Sequence, residues 1–225
     1  MSLLRRFPST AAVRVLDIGT FDGAFLTTLP SAWERCAIEP AHEAAKILTD
    51  NGLTYLGPDA STIVDEQRES FDAITLFDVF EHWLHPLEEL AAIVELLKPG
   101  GSLQISTGNS NHWSWTVLGA RHWYLHSIQH LVVGSRRYFQ HIAERFGLRV
   151  VDITAHSHTT GTVRDRAMQT AATLHYANQS RGKLRSSVAR VIQSIPSLKE
   201  LRHREHATYG AALRDHLLVT LQKKV

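Results

Sequence analysis

The stretch 15–26, VLDIGTFDGAFL, restricts the fold of this chain more than any other part of it. An apolar run ends in Asp17, glycines follow at Gly19 and Gly23, and a new apolar periodicity begins after them. This order indicates a strand, a tight turn and the start of a helix. Glycine leaves no Cβ in the way, so the backbone amides of such a turn can face a small polar ligand. An ordinary strand-to-helix turn of an α/β protein is the alternative.

Acidic residues follow this strand and the next three strand candidates. Asp17 would lie close to a pyrophosphate and repel it, which favours a ligand with a cationic or hydroxyl-rich group. Glu39 comes 22 residues later, where a carboxylate can accept hydrogen bonds from two ribose hydroxyls. Asp59 and Asp78 end the third and fourth strand candidates. Because parallel strands end at one edge of a sheet, these four carboxylates are expected to line one crevice.

Strand and helix patterns alternate five times at short spacing, which predicts an α/β, doubly wound, Rossmann-like sheet. After the opening strand, the predicted strands are 35–38, 53–57, 71–77, 102–106, 149–155 and 217–221. The predicted helices are 41–50, 86–97, 135–146, 162–176 and 187–194. The sheet should therefore have seven strands, with insertions around the last two.

The first insertion, 110–134, is rich in aromatic and histidine side chains. These are Trp113, Trp115, Trp123, Tyr124, His112, His122, His126 and His130. The composition is compatible with a substrate lid that offers stacking surfaces and proton acceptors. It is equally compatible with aromatic packing that pins an irregular insertion to the sheet.

The second insertion, 157–215, precedes the last strand and is basic. Residues 155–225 contain 12 basic and 4 acidic side chains, whereas residues 1–154 contain 12 and 18. Such asymmetry indicates an acidic partner, which would be a phosphate-bearing substrate, nucleic acid or an anionic membrane surface. The alternative is that these basic side chains form a solvent-exposed face, whose charge is balanced by the acidic residues of 1–154.

Length and composition favour one soluble domain over residues 1–225. The chain is 44% hydrophobic and 20% charged, as is usual for a globular protein. No apolar run approaches the roughly 18 residues of a membrane span, and no signal-peptide pattern opens the chain. We therefore expect a cytoplasmic protein.

Four segments, in this order and spacing, resemble the class I S-adenosylmethionine-dependent methyltransferases, close to a broad bacterial group of them. They are the glycine turn 17–23 (DIGTFDG), the acidic strand end 38–40 (IEP), the segment 81–86 (EHWLHP) and the turn 97–101 (LKPGG). The resemblance covers about residues 13–151. It implies a sheet whose last strand is antiparallel, and S-adenosyl-L-methionine as the cofactor.

The resemblance assigns the glycine turn to the methionine part of the cofactor. Gly19, Thr20 and Gly23 would border that part, with Asp17 near its ammonium group. Glu39 would hold the ribose hydroxyls. Nothing in the turn would need to contact a phosphate.

The resemblance assigns the ends of the third and fourth strands to the rest of the cofactor. Asp59 and Ala60 would contact the adenine, with the carboxylate accepting from the exocyclic amine. Phe77 and Asp78 would line the floor of the site, and His82 would lie close to its mouth.

One residue departs from the family pattern. Phe21 stands where the family has the middle glycine of the turn, at a position where the backbone usually approaches the ligand. A reshaped loop that still binds the cofactor is one interpretation. A chain that has the methyltransferase fold but binds the cofactor weakly is the other.

The implied reaction is methyl transfer to oxygen, less readily to nitrogen, of a small molecule, a glycan or a lipid-linked acceptor. A hydroxyl acceptor needs a base near neutral pH, and His82 and His130 are the candidates. Asp78, Glu81 and His82 also offer ligands to magnesium or zinc, but capping and orientation of the following helix by Glu81 and His82 is the favoured explanation, so no metal is expected.

Two other functions are open. A nicotinamide-dependent oxidoreductase shares the glycine turn and the acidic strand end, and a non-catalytic binding module or partner subunit is favoured by Phe21. A base-flipping nucleic-acid methyltransferase is disfavoured, because 76–78 reads LFD where an Asn-Pro-Pro-Tyr motif would stand. We therefore expect no nucleic-acid partner and leave peripheral membrane contact open.

Overall fold

The computed structural model describes residues 3, 6–179, 183–196, 199 and 212–225. The chain divides into two compact units. The first unit comprises Met1–Thr107, Arg137–Thr154 and Leu218–Val225, and the second unit comprises Gly108–Arg136 and Ala155–Leu217. The second unit thus corresponds closely to the two predicted insertions, although residues 180–182, 197–198 and 200–211 of the basic insertion lie outside the described residues.

Seven strands form one sheet. They are β1 (Arg14–Ile18), β2 (Glu34–Ile38), β3 (Thr54–Gly57), β4 (Phe71–Phe77), β5 (Leu97–Gly108), β6 (Leu148–His156) and β7 (His216–Lys223). Their order is β3-β2-β1-β4-β5-β7-β6, so the order of the strands reverses direction between β1 and β4. The first five strands pair in parallel, and the last strand is antiparallel. This architecture confirms the predicted fold class.

Eight α-helices are assigned within the described residues. They are α1 (Ala24–Thr27), α2 (Ala44–Asp50), α3 (Val64–Gln67), α4 (Pro86–Leu96), α5 (Trp113–Leu118), α6 (Arg136–Arg145), α7 (Val163–Asn178) and α8 (Lys183–Ser194). Short 3-10 helices cover Ser61–Ile63, Phe80–His82, Gly119–Arg121 and Trp123–His126. None of the helices in this described part combines the length and apolar character that a membrane span requires.

The central strands are buried on both faces, which explains their nearly continuous apolar sequence. Val15 and Leu16 of β1 are fully buried, as are Ile74 and Leu76 of β4. Parallel register then places Thr75 beside Asp17, so that a hydroxyl faces the single acid of β1.

Several boundaries differ from the predicted ones by up to five residues. The helix predicted at 187–194 begins at Lys183, and the strand predicted at 102–106 covers Leu97–Gly108. The helix predicted from residue 41 begins at Ala44, and the Ala41 amide before it donates to the Glu39 carboxylate. The turn predicted at 98–101 is a bulge inside β5. Leu97 pairs with Phe71 and Ser102 pairs with Ala73, so the four residues between them loop out of register.

In the second unit, α7 begins with a capping box. The Thr162 hydroxyl accepts from the Asp165 amide, and the Asp165 carboxylate accepts from the Thr162 amide. This pair satisfies two amides at the helix start. The helix then buries Ala172, His175 and Tyr176.

Candidate active site

The glycine turn after β1 is held in positive-φ conformations. Gly19 has a φ of 70° and Gly23 a φ of 77°. A Cβ on Gly23 would lie 2.3 Å from Cδ1 of Leu53, so any larger residue here would require the buried Leu53 side chain to move. The Gly19 amide donates to the carbonyl of Ile38 over 2.9 Å, which ties the turn to the end of β2.

Phe21 lies in the same turn with a φ of 55°, a conformation that costs a non-glycine residue about 1–2 kcal/mol. Its ring is directed to solvent, with 77% of its surface exposed. Its amide donates to Oε2 of Glu39 over 2.8 Å. The backbone at Phe21 therefore has the left-handed conformation that glycine would adopt here, while the aromatic ring points away from the turn into solvent. This geometry favours the interpretation of a reshaped loop.

Glu39 joins this turn to the end of β2. The carboxylate is buried and accepts the Phe21 amide at Oε2 and, over 3.2 Å, the Ala41 amide at Oε1. Each oxygen has a second lone pair, so the group can accept two further hydrogen bonds. Its orientation is thus set by the backbone before any ligand binds.

Asp17 lies at the inner end of the same edge with 4% of its surface exposed. The Thr75 hydroxyl donates to its Oδ1 over 2.5 Å. Burial raises the pKa of Asp17 to about 6, against the opposing effect of that hydrogen bond. Burial thus disfavours the ionised form of Asp17, which lies where the strand order of the sheet reverses, between β1 and β4.

A cavity of about 340 Å³ opens at the carboxyl ends of β1, β2 and β3. Its size falls within the range of small-molecule sites. The lining residues are Ile18, Gly19, Ile38, Glu39, Pro40, Pro58, Asp59, Ala60, Val79, His82, Trp83 and Glu89. Apolar walls with a few carboxyl groups suit a flat base joined to a sugar.

Of the ten predicted site residues in the first unit, five line the cavity and five do not. Those on the wall are Gly19, Glu39, Asp59, Ala60 and His82. Those not on it are Asp17, Thr20, Gly23, Phe77 and Asp78. Phe77 packs edge-on against Phe25 with ring centroids 4.8 Å apart, and Val79, the residue after Asp78, lines the wall. Their contact with the cofactor stays a prediction.

Asp59 and Glu89 place two carboxyl groups on this wall. Asp59 Oδ1 accepts the Ser61 amide over 2.7 Å, which orients the side chain after β3. Glu89 lies in the first turn of α4. Burial, followed by the charges of Asp59 and Glu88, raises the pKa of Glu89.

Trp83, Val79 and Glu89 were not identified from the sequence. Trp83 lies within the segment 81–86, and Val79 lies two residues before it, so that segment was the available signal. Glu89 had no comparable signal, because a glutamate in the first turn of a helix is common for reasons of helix stability alone.

Asp78 and Glu81, two of the residues considered as metal ligands, contact hydroxyl groups of β5. Glu81 is buried and accepts the Thr107 hydroxyl over 2.8 Å. Asp78 Oδ1 lies 3.3 Å from the Ser106 hydroxyl, and His82 is exposed at the end of its 3-10 helix. These contacts support an orienting role for Glu81 in this segment.

The second unit holds a buried hydrogen-bonded chain of two histidines and a serine. His112 Nε2 lies 2.9 Å from the carbonyl oxygen of Leu213, which only accepts, so neutral His112 carries its proton there. The Ser114 hydroxyl then donates to His112 Nδ1 and accepts from His122 Nε2, both over 2.7 Å. Burial lowers the pKa of His112 and lowers that of His122 to about 4.

The same chain leads to His130. His122 Nδ1 accepts the Tyr124 amide over 3.3 Å, and the Tyr124 carbonyl accepts from His130 Nδ1 over 2.9 Å. Neutral His130 therefore has its basic lone pair on Nε2. The Trp115 ring stacks on His122 with centroids 3.9 Å apart and planes 1° from parallel. These contacts give the aromatic insertion a packing role inside the second unit, while a lid role stays a prediction.

A family model described as "Methyltransferase domain" matches residues 2–153. The ubiquinone biosynthesis O-methyltransferase of Xanthomonas oryzae pv. oryzae (strain PXO99A) is 32% identical over 121 residues, which cover 50% of this chain and 51% of that protein. The mitochondrial protein of the same name from Mus musculus is 27% identical over 117 residues, 48% of this chain and 32% of its own. The chain thus spans about half the length, or less, of these curated relatives.

Solved structures resemble this fold over nearly the whole chain. An S-adenosylmethionine-dependent methyltransferase from Archaeoglobus fulgidus superposes with a TM-score of 0.59 at 17% identity, covering 99% of this chain and 92% of its own. One from Mesorhizobium loti gives 0.59 at 14% identity, covering 99% and 96%. A cyclase gives 0.61 at 17% identity, covering 100% and 79%. At these identities the likeness shows the fold alone.

Three observations support the same family: the matching family model, the antiparallel last strand, and the cavity at the carboxyl ends of the strands. The donor set also fits the cofactor that the resemblance implies, because the buried Glu39 can accept from a ribose and the apolar walls can hold a purine. This chain belongs to the class I S-adenosylmethionine-dependent methyltransferases.

Proposed function

We propose that this chain transfers a methyl group from S-adenosyl-L-methionine to an oxygen of a small molecule, a glycan or a lipid-linked acceptor. The single observation that carries the proposal is the cavity, which a backbone-oriented Glu39 lines together with Gly19 and Asp59. The relatives named O-methyltransferase support oxygen over nitrogen as the acceptor atom. The proposal includes an acidic acceptor, or contact with an anionic membrane surface, for the basic insertion 157–215.

The chain's own residues would bind and orient the cofactor along the sheet edge. When bound, its sulfonium supplies an electrophilic methyl group. Glu39 would accept from both ribose hydroxyls, and Asp59 and Ala60 would contact the adenine. Holding two reactants in line contributes several kcal/mol, so orientation is the main task of the protein.

A hydroxyl acceptor must lose its proton during transfer. His130 is held in the tautomer with its lone pair on Nε2, which is the form that a general base needs. His82 borders the cavity of the first unit and is the second candidate. A glutamine at either position should lower kcat at neutral pH more than it changes cofactor affinity.

Calorimetry with S-adenosylmethionine, S-adenosylhomocysteine and NAD tests the proposal. We expect the first two to bind and NAD not to bind. Glu39→Ala should remove one or two hydrogen bonds to a charged group, each worth about 1.5–3 kcal/mol. Glu34→Ala, at the other end of β2 where Glu34 pairs with Arg14, is the matched control and should bind normally.

Absence of binding by the first two ligands would overturn the enzyme interpretation. Binding of NAD in their place would favour the oxidoreductase. Binding of S-adenosylmethionine without transfer to any hydroxylated acceptor would favour the non-catalytic module.

A further inference from the structure

Three large aliphatic side chains lie exposed close together in the chain, on a short loop of the second unit. Leu125, Ile128 and Leu131 expose 51%, 94% and 55% of their surface. Exposed apolar side chains are normally scattered singly over a protein surface, whereas these three lie within seven residues. Residues 125–131 thus form an apolar loop, with Ile128 almost fully in solvent.

The apolar loop is a hydrogen-bonded turn with a packed inner side. His130 Nδ1 donates to the Tyr124 carbonyl over 2.9 Å, and the His130 amide donates to the Ser127 carbonyl over 3.2 Å. The Tyr124 side chain is buried, and its ring centroid lies 4.1 Å from that of His130. These contacts close the base of the loop, while its three aliphatic side chains extend into water.

The charges around the apolar loop have one sign. Residues 122–135 contain no Asp, Glu, Lys or Arg, and Arg121 and Arg136 stand at the two ends of this stretch. The second unit contains 12 basic and 4 acidic side chains, whereas the first unit contains 12 and 18. The apolar loop therefore belongs to a unit that attracts anionic surfaces.

A bilayer with anionic headgroups complements both features of this unit. Leucine and isoleucine side chains are stabilised at the boundary between headgroups and acyl chains, and arginine and lysine are attracted to anionic lipids. A second copy of the same unit would cover the apolar side chains too, but it would bring two strongly basic surfaces together. The charge of the second unit thus favours a membrane over a second copy.

We propose that the apolar loop inserts Leu125, Ile128 and Leu131 into the headgroup region of an anionic membrane, on which the basic side chains of the second unit hold the protein. This assignment rests on the membrane contact included in the proposed function. It adds apolar insertion by residues 125–131 to the charge of the insertion 157–215. It does not depend on methyl transfer, so binding to lipid can be measured by itself.

The test is sedimentation of the full chain with vesicles of phosphatidylcholine, alone or mixed equally with phosphatidylglycerol. Wild type should bind the mixed vesicles tighter by about tenfold or more. Ile128→Gln should weaken that binding about tenfold, because one large aliphatic side chain no longer leaves water. Ile47→Gln is the matched control, since Ile47 is an exposed isoleucine on α2 of the first unit, and it should bind as wild type does.

Salt separates apolar insertion from attraction by charge alone. A variant with glutamine at 125, 128 and 131 should leave the mixed vesicles completely at high salt, whereas wild type should stay partly bound. Equal binding of wild type, Ile128→Gln and the triple variant at every salt concentration would overturn the assignment. So would a wild-type dimer that does not bind vesicles and that the triple variant dissociates, because a second copy would then cover the loop.

Calorimetry with S-adenosylhomocysteine on the same proteins keeps the two proposals apart. The triple variant should bind this ligand as wild type does, which also shows that the variant is folded. Vesicle binding by a wild type that does not bind the ligand would overturn the proposed enzyme function and leave the membrane assignment standing. Ligand binding without vesicle binding would overturn the membrane assignment alone.

Discussion

The first unit buries an acidic side chain and the second unit buries basic ones. The stability of the two units should therefore respond to pH in opposite directions. In the first unit, burial raises the pKa of Asp17 to about 6. In the second, burial lowers the pKa of His122 to about 4. The cause is the same, because a buried site disfavours the charged form of either group.

The difference shows what each unit uses its buried polar groups for. Asp17 is still ionised at neutral pH, so the first unit carries a charge that lowers its stability, as is frequent at functional sites. His112 and His122 are neutral there and satisfy one another through Ser114. The second unit uses its polar groups to order an irregular segment.

The largest effect on stability should come from the glycine turn of the first unit. A Cβ on Gly23 would overlap Leu53 and also lie 2.9 Å from Leu48, at a φ of 77°. Gly23→Ala should therefore lower the free energy of unfolding by about 3–4 kcal/mol, from overpacking and backbone strain together. Gly52 has a similar φ, but a Cβ added there would meet no atom within 4 Å. Gly52→Ala should therefore lower the free energy of unfolding only by the backbone strain. Denaturant unfolding measures both, and equal losses would exclude close packing as the reason for Gly23.

Acid should weaken the second unit through His122. The folded pKa of about 4 lies below the usual 6.5, so protonation favours unfolding as pH falls from 6.5 to 4. The loss amounts to about 1.4 kcal/mol per pH unit, or about 3 kcal/mol over this window. Denaturant unfolding of wild type and His122→Gln at pH 7 and pH 4.5 measures this loss of stability. A variant with the same pH dependence as wild type would show that His122 does not set it.

Asp17 should act with the opposite sign. Its folded pKa of about 6 lies above the usual 3.8, so its penalty is present above pH 6 and disappears as pH falls to 3.8. Asp17→Asn should raise the free energy of unfolding by about 2 kcal/mol at pH 7 and leave it unchanged near pH 4. The same variant should bind S-adenosylmethionine more weakly. A variant that is more stable and binds normally would remove Asp17 from the cofactor site.

The smallest effect concerns Phe21. Phe21→Gly should stabilise the first unit by about 1 kcal/mol, because it relieves a left-handed φ without losing packing from an exposed ring. Phe21→Ala keeps the strained Cβ and serves as the control, with no gain expected. If the alanine variant gained as much as the glycine variant, the ring and not the backbone would be the source of the cost.

Much of the first unit could be predicted because its signals are local. β4 was predicted with its observed bounds, 71–77, because a strand buried on both faces has a continuous apolar sequence. Gly19, Glu39, Asp59 and Ala60 were assigned to the site and line the cavity. Glu89 was missed because it reaches the cavity from a helix whose distance from β3 depends on packing.

The sequence by itself determined the strand and helix alternation, the family, and the acids at the strand ends, since each depends on residue type and spacing along the chain. Tertiary structure decided that Phe21 keeps the glycine path with its ring in solvent, that α4 supplies a further carboxyl group, and that Ser114 joins two histidines. Phe21 adopts a backbone conformation that is rare for phenylalanine, and α4 reaches the cavity through packing between residues distant in sequence. The contacts of Ser114 join residues near in sequence, but they depend on how an irregular segment folds, which no periodic pattern encodes.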